Sequence, residues 1–219
     1  MKHVLITGAN RGIGLELCRQ LSQRGERVTA VCRRSSDALD GLGVEVIEGI
    51  DVSEADCVGQ LADKVKGRKF DWLINNAGVL VRDRLGQADF DDIQRQFVVN
   101  SMGPLRVTSA LLPNLDRGAK VGIVTSRMGS VGDNTSGGYY GYRMSKAAVN
   151  MAGVCLACDL KERGISVVLL HPGWVATDMG GSGGVPVDRS ATGLIERMDE
   201  LDMASSGTFR HADGRELPW

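Results

Sequence analysis

The segment TGANRGIG, residues 7–14, emerges from the apolar run HVLITG and opens GLELCRQLSQRG, which has helical spacing and stops at Gly25. A buried strand that turns through glycines directly into a helix is compatible with few folds. Gly8 permits the tight turn, and Gly12 and Gly14 permit close backbone approach. The helix start offers unpaired N–H groups and the positive end of its dipole to a phosphate. The expectation is a dinucleotide seated on Gly8, Asn10, Arg11, Gly12, Ile13 and Gly14. A glycine-rich turn with no ligand is the plain alternative. Placement between the first strand and the first helix favours the ligand.

The rest of the chain keeps that rhythm. RVTAVCR and VEVIEG read as strands, and Ser53 is placed to cap an amphipathic helix, SEADCVGQLADKVKG. FDWLINNAG reads as strand then turn. A long helix, DFDDIQRQFVVNSMGPLRVTSALLPNL, is expected to bend near Gly103 and Pro104. KVGIVTS is a strand, YGYRMSKAAVNMAGVCLACDLKERG a helix stopped at Gly164, and ISVVLLHPG a strand. MGGSGGVPVD, residues 179–188, reads as a mobile loop before a last helix, RSATGLIERMDEL, and GTFRHADG as an edge strand. Apolar strands that barely alternate imply a parallel sheet covered by helices on both faces. No repeat divides the chain, and one domain over 1–219 is expected, with a dinucleotide-binding half of about 1–118 and a catalytic half of about 119–219.

Charge narrows the partners. Lys plus Arg number 26 and Asp plus Glu 27, so nothing favours nucleic acid or an anionic membrane. No apolar run approaches a bilayer span, and the opening MKHVLITGAN is not a leader peptide. Cys18, Cys32, Cys57, Cys155 and Cys158 are odd in number and scattered, which suits a reduced, cytoplasmic setting. Cys155 and Cys158 form a C-x-x-C inside a helical pattern without a second ligand pair. They read as small residues packing on one side of a helix, and no metal site is expected.

The second strand ends in AVCRR. Sites selective for NAD usually place an acid there to bind the ribose hydroxyls, and here Cys32 occupies that position with Arg33 after it. A guanidinium would bind a 2′-phosphate that an acid would repel. Arg11 adds a second positive charge, so NADP(H) is expected over NAD(H).

All three tyrosines, Tyr139, Tyr140 and Tyr142, lie in GGYYGYRMSKAAVN. Reduction of a carbonyl needs a proton donor held against the oxygen. A tyrosine has an ordinary pKa near ~10, and an ammonium beside it lowers that value by favouring phenolate. Only Tyr142 has a lysine, Lys146, one helical turn on. Tyr139 is followed at that spacing by Arg143 and Tyr140 by Met144, so these two are expected at the pocket rim.

The G-x-x-x-G-x-G spacing, NNAG at 75–78, FVVNSMGPL, the Y-x-x-x-K pair and HPGWVATDM occur in the order of the short-chain dehydrogenase/reductase family, which the chain resembles from residue 7 to 179. NTSGGYYGYRMSKAAVN, PGWVATDMGG and the ending DGRELPW resemble the small carbonyl reductases of the sniffer and C-factor type. The resemblance implies an α/β Rossmann-type doubly wound sheet and reduction of a ketone, aldehyde or quinone by NADPH. It implies Asn100, Ser126, Tyr142 and Lys146 as the catalytic set, with Ser130 the alternative serine. It places Asp51 and Val52 at the adenine, Asn76, Ala77 and Gly78 along the cofactor, and Pro172, Gly173, Val175 and Thr177 at the nicotinamide end. Tyr142 and Lys146 would also touch the cofactor. Residues 79–88, 127–138 and 174–190 would shape the substrate site, with Met128, Trp174 and Met179 making it apolar. His171 has no evident partner and reads as structural. The helices around 89–115 and 140–163 would form homodimer or homotetramer faces, although some such reductases are monomers. A cofactor-binding signalling protein and an NAD-dependent alcohol dehydrogenase are the rival readings.

Overall fold

The computed structural model describes residues 1–181 and 183–219. Its strands are β1 (His3–Thr7), β2 (Arg27–Val31), β3 (Glu45–Ile47), β4 (Trp72–Asn75), β5 (Lys120–Val124), β6 (Ser166–His171) and β7 (Thr208–His211). They form one sheet in the order β3-β2-β1-β4-β5-β6-β7, and every pairing is parallel. The expected doubly wound α/β architecture is therefore present, and the last strand does lie at an edge.

The strands barely alternate because each face meets its own core. Leu5, Leu73, Val121, Ile123 and Val167 point to one side, with Val58, Leu61, Val107, Leu111, Val149 and Leu156. Those six come from α3 (Ala55–Lys64), α5 (Gly103–Ala110) with the residue after it, and α6 (Tyr140–Asp159). Val4, Ile6, Trp72, Ile74, Val168 and Leu170 point to the other side. There they meet α1 (Gly12–Gln23), α2 (Asp37–Asp40) and α7 (Val187–Glu200). A period of two thus sorts uniformly apolar strands between two layers of helices.

The chain winds one way from β1 to β3 and the other way from β4 to β7. A crevice opens at such a reversal beyond the carboxyl ends of the strands. The loops after β1, β4, β5 and β6 all emerge there.

Four local expectations need correction. Ser53 does not cap α3: Glu54 precedes the helix, and the Ser53 hydroxyl donates to Asp51 at 2.7 Å. The long helix does not simply bend at Gly103–Pro104. It runs as α4 (Phe90–Phe97), a π-helical turn at Val98–Met102 and then α5, so the irregularity starts before the glycine and centres on Asn100. Cys155 and Cys158 are both exposed rather than packed inside, and no metal-binding cluster occurs among the described residues. Helix α7 begins at Val187, which shortens the expected 179–188 loop; Ser182 within it lies outside the described residues. None of the described helices is long and apolar enough to cross a membrane.

Candidate active site

A cleft of about 580 Å³ lies over the crevice. Its lining includes Gly8, Asn10, Arg11, Gly12, Ile13, Arg33, Asp51, Val52, Asn76, Ala77, Gly78, Tyr142, Lys146, Pro172 and Thr177 from the sequence-derived set. The lining also takes in Val99, Val124, Thr125, Asp178 and Met179. Gly14, Gly173, Val175, Asn100 and Ser126 are not part of that lining.

The glycine loop is shaped by contact. Gly8 has φ 65°, and a Cβ there would lie 2.8 Å from the Ala77 Cα. At Gly14 a Cβ would meet the Gly8 oxygen at 2.2 Å and Asn76 Nδ2 at 2.5 Å. Asn76 donates from Nδ2 to the carbonyls of Thr7 and Gly8, both at 3.1 Å. The Thr7 hydroxyl accepts from the N–H groups of Asn76 and Ala77 at 3.1 and 3.2 Å. Thr7 was not singled out in the sequence; its place at the last position of β1, beside the glycines, was the available signal. The loop leaves a cradle without side chains at a helix N-terminus, which fits a dinucleotide pyrophosphate.

At the β2 end, Cys32 is buried, and desolvation pushes its thiol up to about 11. No carboxylate occupies that position. Arg33 is largely exposed and lies 3.5 Å from Asp51. Burial raises the Asp51 pKa, but the Ser53 hydrogen bonds and the Arg33 charge outweigh it and hold the carboxyl below its ordinary range. Arg11 points elsewhere, pairing with Asp178 at 2.9 Å across the cleft. Of the two arginines expected to favour a 2′-phosphate, Arg33 is the one left at the adenosine end.

Ser126, Tyr142 and Lys146 are brought together by β5 and α6. Ser126 opens a 3-10 turn at Arg127–Gly129, its hydroxyl oxygen accepting from the Met128 N–H at 3.1 Å. A Cβ on Gly129 would lie 2.6 Å from the Lys146 carbonyl carbon, so only glycine lets this turn rest on α6. Thr125 donates to Asn150 at 2.7 Å and Ser130 accepts from the Asp133 N–H at 3.1 Å, while Ser126 is the neighbour that opposes the rise of the Tyr142 phenol.

Burial pushes the Tyr142 phenol up to about 12, with the Ser126 bond opposing. The expected lowering by Lys146 is not what the structure has. Lys146 Nζ sits 5.7 Å from the Tyr142 ring centre and donates to the Val124 carbonyl at 2.9 Å. Desolvation lowers its own pKa to about 8. Both groups lean towards their neutral forms because each would lose hydration on charging.

Asn100 Oδ1 accepts from the Val79 N–H at 2.8 Å, while Nδ2 donates to the Val79 carbonyl at 2.8 Å and to the Ser145 hydroxyl at 3.0 Å. It therefore fixes the segment after NNAG, behind Gly78. Met179 reaches the cleft, but Trp174 is exposed, and its indole N–H donates to the Gly180 carbonyl at 2.7 Å. Tyr140 is partly exposed and, like Tyr139, stands outside the cleft lining.

Residues 2–184 match the family model described as short chain dehydrogenase. The chain belongs to the short-chain dehydrogenase family. Over 226 aligned positions covering 100% of both chains, this short-chain dehydrogenase is 46% identical to 1-hydroxy-2-glutathionyl-2-methyl-3-butene dehydrogenase of Rhodococcus sp. (strain AD45). It is 52% identical to the C-signal of Myxococcus xanthus over 153 residues, 68% of this chain and 92% of that one. Its fold matches the carbonyl reductase Sniffer of D. melanogaster with a TM-score of 0.94, at 31% identity and 100% coverage of both. It also matches an NADPH-bound carbonyl reductase from chicken fatty liver at 0.91, with 30% identity, covering 100% of this chain and 99% of that one.

His171 closes β6 beside the cleft. Its ring stands 5.0 Å from that of His211, and its Nδ1 is buried without a partner. Burial, then His211, Arg127 and Arg215, lower its pKa to about 3 against the pull of Asp213. The unfolded chain therefore takes this proton first. The stability held above pH ~6.5 is lost as pH falls towards 3, with a slope of at most about 1.4 kcal/mol per pH unit. Denaturant unfolding at pH 7.5, 6.0 and 5.0 should show this loss, and His171→Gln should flatten it. Gly129→Ala should cost about 1–3 kcal/mol in the same measurement, because the turn after Ser126 has no room to yield.

Proposed function

We propose that the protein is an NADP(H)-dependent reductase that converts a ketone, aldehyde or quinone to an alcohol, with Tyr142 as proton donor. The observation that carries this reading is the buried phenol of Tyr142, with Lys146 Nζ 5.7 Å from its ring, on the wall of a glycine-floored cleft. When bound, the nicotinamide supplies the hydride. The glycine loop would hold the pyrophosphate, Asp51 and Val52 the adenine, and Asn76, Ala77 and Gly78 the middle of the cofactor. Pro172, Gly173, Val175 and Thr177 would border the nicotinamide, although Gly173 and Val175 are not part of the lining.

Tyr142 donates its hydroxyl proton to the substrate oxygen, and Ser126 donates a hydrogen bond to that oxygen as it gains charge. Lys146 is the nearest ammonium that could return a proton to the phenol, and Asn100 holds the Val79 backbone behind the site. Burial keeps the phenol protonated, the form a donor needs, and release of its proton depends on the charge that develops on the substrate oxygen. Oxidation of an alcohol would need the phenolate, which burial opposes.

The second reading is oxidation of an alcohol on a glutathione-bearing substrate, favoured by the relative that is 46% identical over its full length. Turnover of a carbonyl panel with NADPH, set against glutathione-conjugate alcohols with NAD and NADP, separates the two. Tyr142→Phe should lower kcat by about 100-fold or more, the usual worth of a positioned acid. Unchanged turnover in that variant would remove Tyr142 from the chemistry.

Arg33→Ala should raise the KM for NADPH about tenfold or more and leave that for NADH nearly unchanged, as expected for loss of a charge-assisted bond. Arg11→Ala should do less, because Asp178 already engages Arg11. An Arg33→Ala effect equal on both cofactors would defeat the NADP preference.

A further inference from the structure

Helix α6 starts without a cap of its own. A local N-cap has extended backbone and a side chain that accepts from the first N–H groups. Tyr139, at that position, has φ 52° and ψ 44°, and its side chain accepts nothing. It is the only non-glycine residue with positive φ among those described, and Gly137 and Gly138 before it stand at 62° and 64°. The chain thus enters α6 through three successive left-handed residues.

The unpaired N–H groups go to a distant residue. One carboxylate oxygen of Asp83 accepts from the Tyr140 N–H and the other from the Gly141 N–H at 2.9 Å. The Asp83 carbonyl accepts from the Tyr139 N–H at 3.1 Å. The two side-chain bonds span 57 and 58 positions of sequence. Tyr142 is the next residue in the turn they fix.

Asp83 also ends a stretch held at alternate positions. Val79 is gripped through both its backbone groups by Asn100, and the Val81 N–H donates to Gln96 at 2.9 Å. The wall after β4 is therefore fastened at 79, 81 and 83 to the helices behind the site, and the last fastening is the start of α6.

We propose that Asp83 is a positioning residue for Tyr142: its carboxylate caps α6 from across the fold, sets the phenol against Ser126 and ties it to the 79–88 wall. The inference rests on the reading of Tyr142 as proton donor. A misplacement of about 1 Å at a reacting group can cost 100-fold in rate, so a cap one residue away has leverage on turnover. An acid that merely steadies a helix dipole would change stability and leave kcat alone.

The test uses the full chain and the variants Asp83→Ala and Asp83→Asn. In Asp83→Ala, kcat should fall about tenfold or more, while NADPH affinity by fluorescence stays within about twofold and hydrogen exchange at 139–141 accelerates. Asp83→Asn keeps one acceptor and should fall between wild type and Asp83→Ala; it carries the test if Asp83→Ala does not fold. Faster exchange with unchanged kcat, unchanged exchange, or a loss confined to NADPH affinity would each overturn the proposal. Tyr142→Phe is run alongside. If it turns over normally, the proposed reaction fails and so does a positioning role for it, while the exchange data still decide whether Asp83 caps the helix.

Discussion

The hydrogen bonds between Thr7 and Asn76 hold the crevice in shape. β1 and β4 are neighbours in the sheet, yet their chains must part at the carboxyl end for a ligand to enter. The Thr7 hydroxyl and the Asn76 amide cross that gap with four bonds, so the loops diverge without leaving backbone groups unpaired. The glycines matter because of this. Gly14 is crowded by the same Asn76 amide that closes the gap, so the loop's shape and the join between the two halves of the sheet are one constraint.

Much of the fold was legible because its signals are local. Apolar strands, the glycine stop at Gly25 and the glycine loop each act within a few residues, whereas α6 ends at Asp159, short of the expected stop at Gly164. The Tyr142–Lys146 spacing was equally readable, since one helical turn fixes it. What escaped was non-local or a matter of solvation. Asp83 serves a helix far along the chain, which no window of sequence contains. The π-turn at Val98–Met102 centres on Asn100, which bonds to Val79, whereas the visible Gly–Pro pair suggested a later bend. Ser53 had the chemistry of a cap, but Asp51 is its nearer partner.

The electrostatics of the site show the same limit. Sequence spacing put an ammonium beside a phenol and suggested that charge would lower the phenol's pKa. Depth was missing from that reasoning. Where both groups are nearly inaccessible, desolvation acts on each separately, and the ammonium faces the Val124 carbonyl instead of the hydroxyl. The order of effects is burial first, hydrogen bonding second.

The wall at 79, 81 and 83 has a further consequence. A flexible loop that closes on a substrate must surrender its freedom at that moment, and affinity is weakened by the amount surrendered. Here that ordering is completed when the chain folds, because side chains and helix ends already occupy the wall's backbone groups. A ligand that reached Val79, the member of this stretch that lines the cleft, would meet backbone already fixed. Such a surface rewards molecules that match it and discriminates against those that do not, and any adaptation is left to the residues after β6, of which Ala176, Thr177, Asp178 and Met179 reach the cleft.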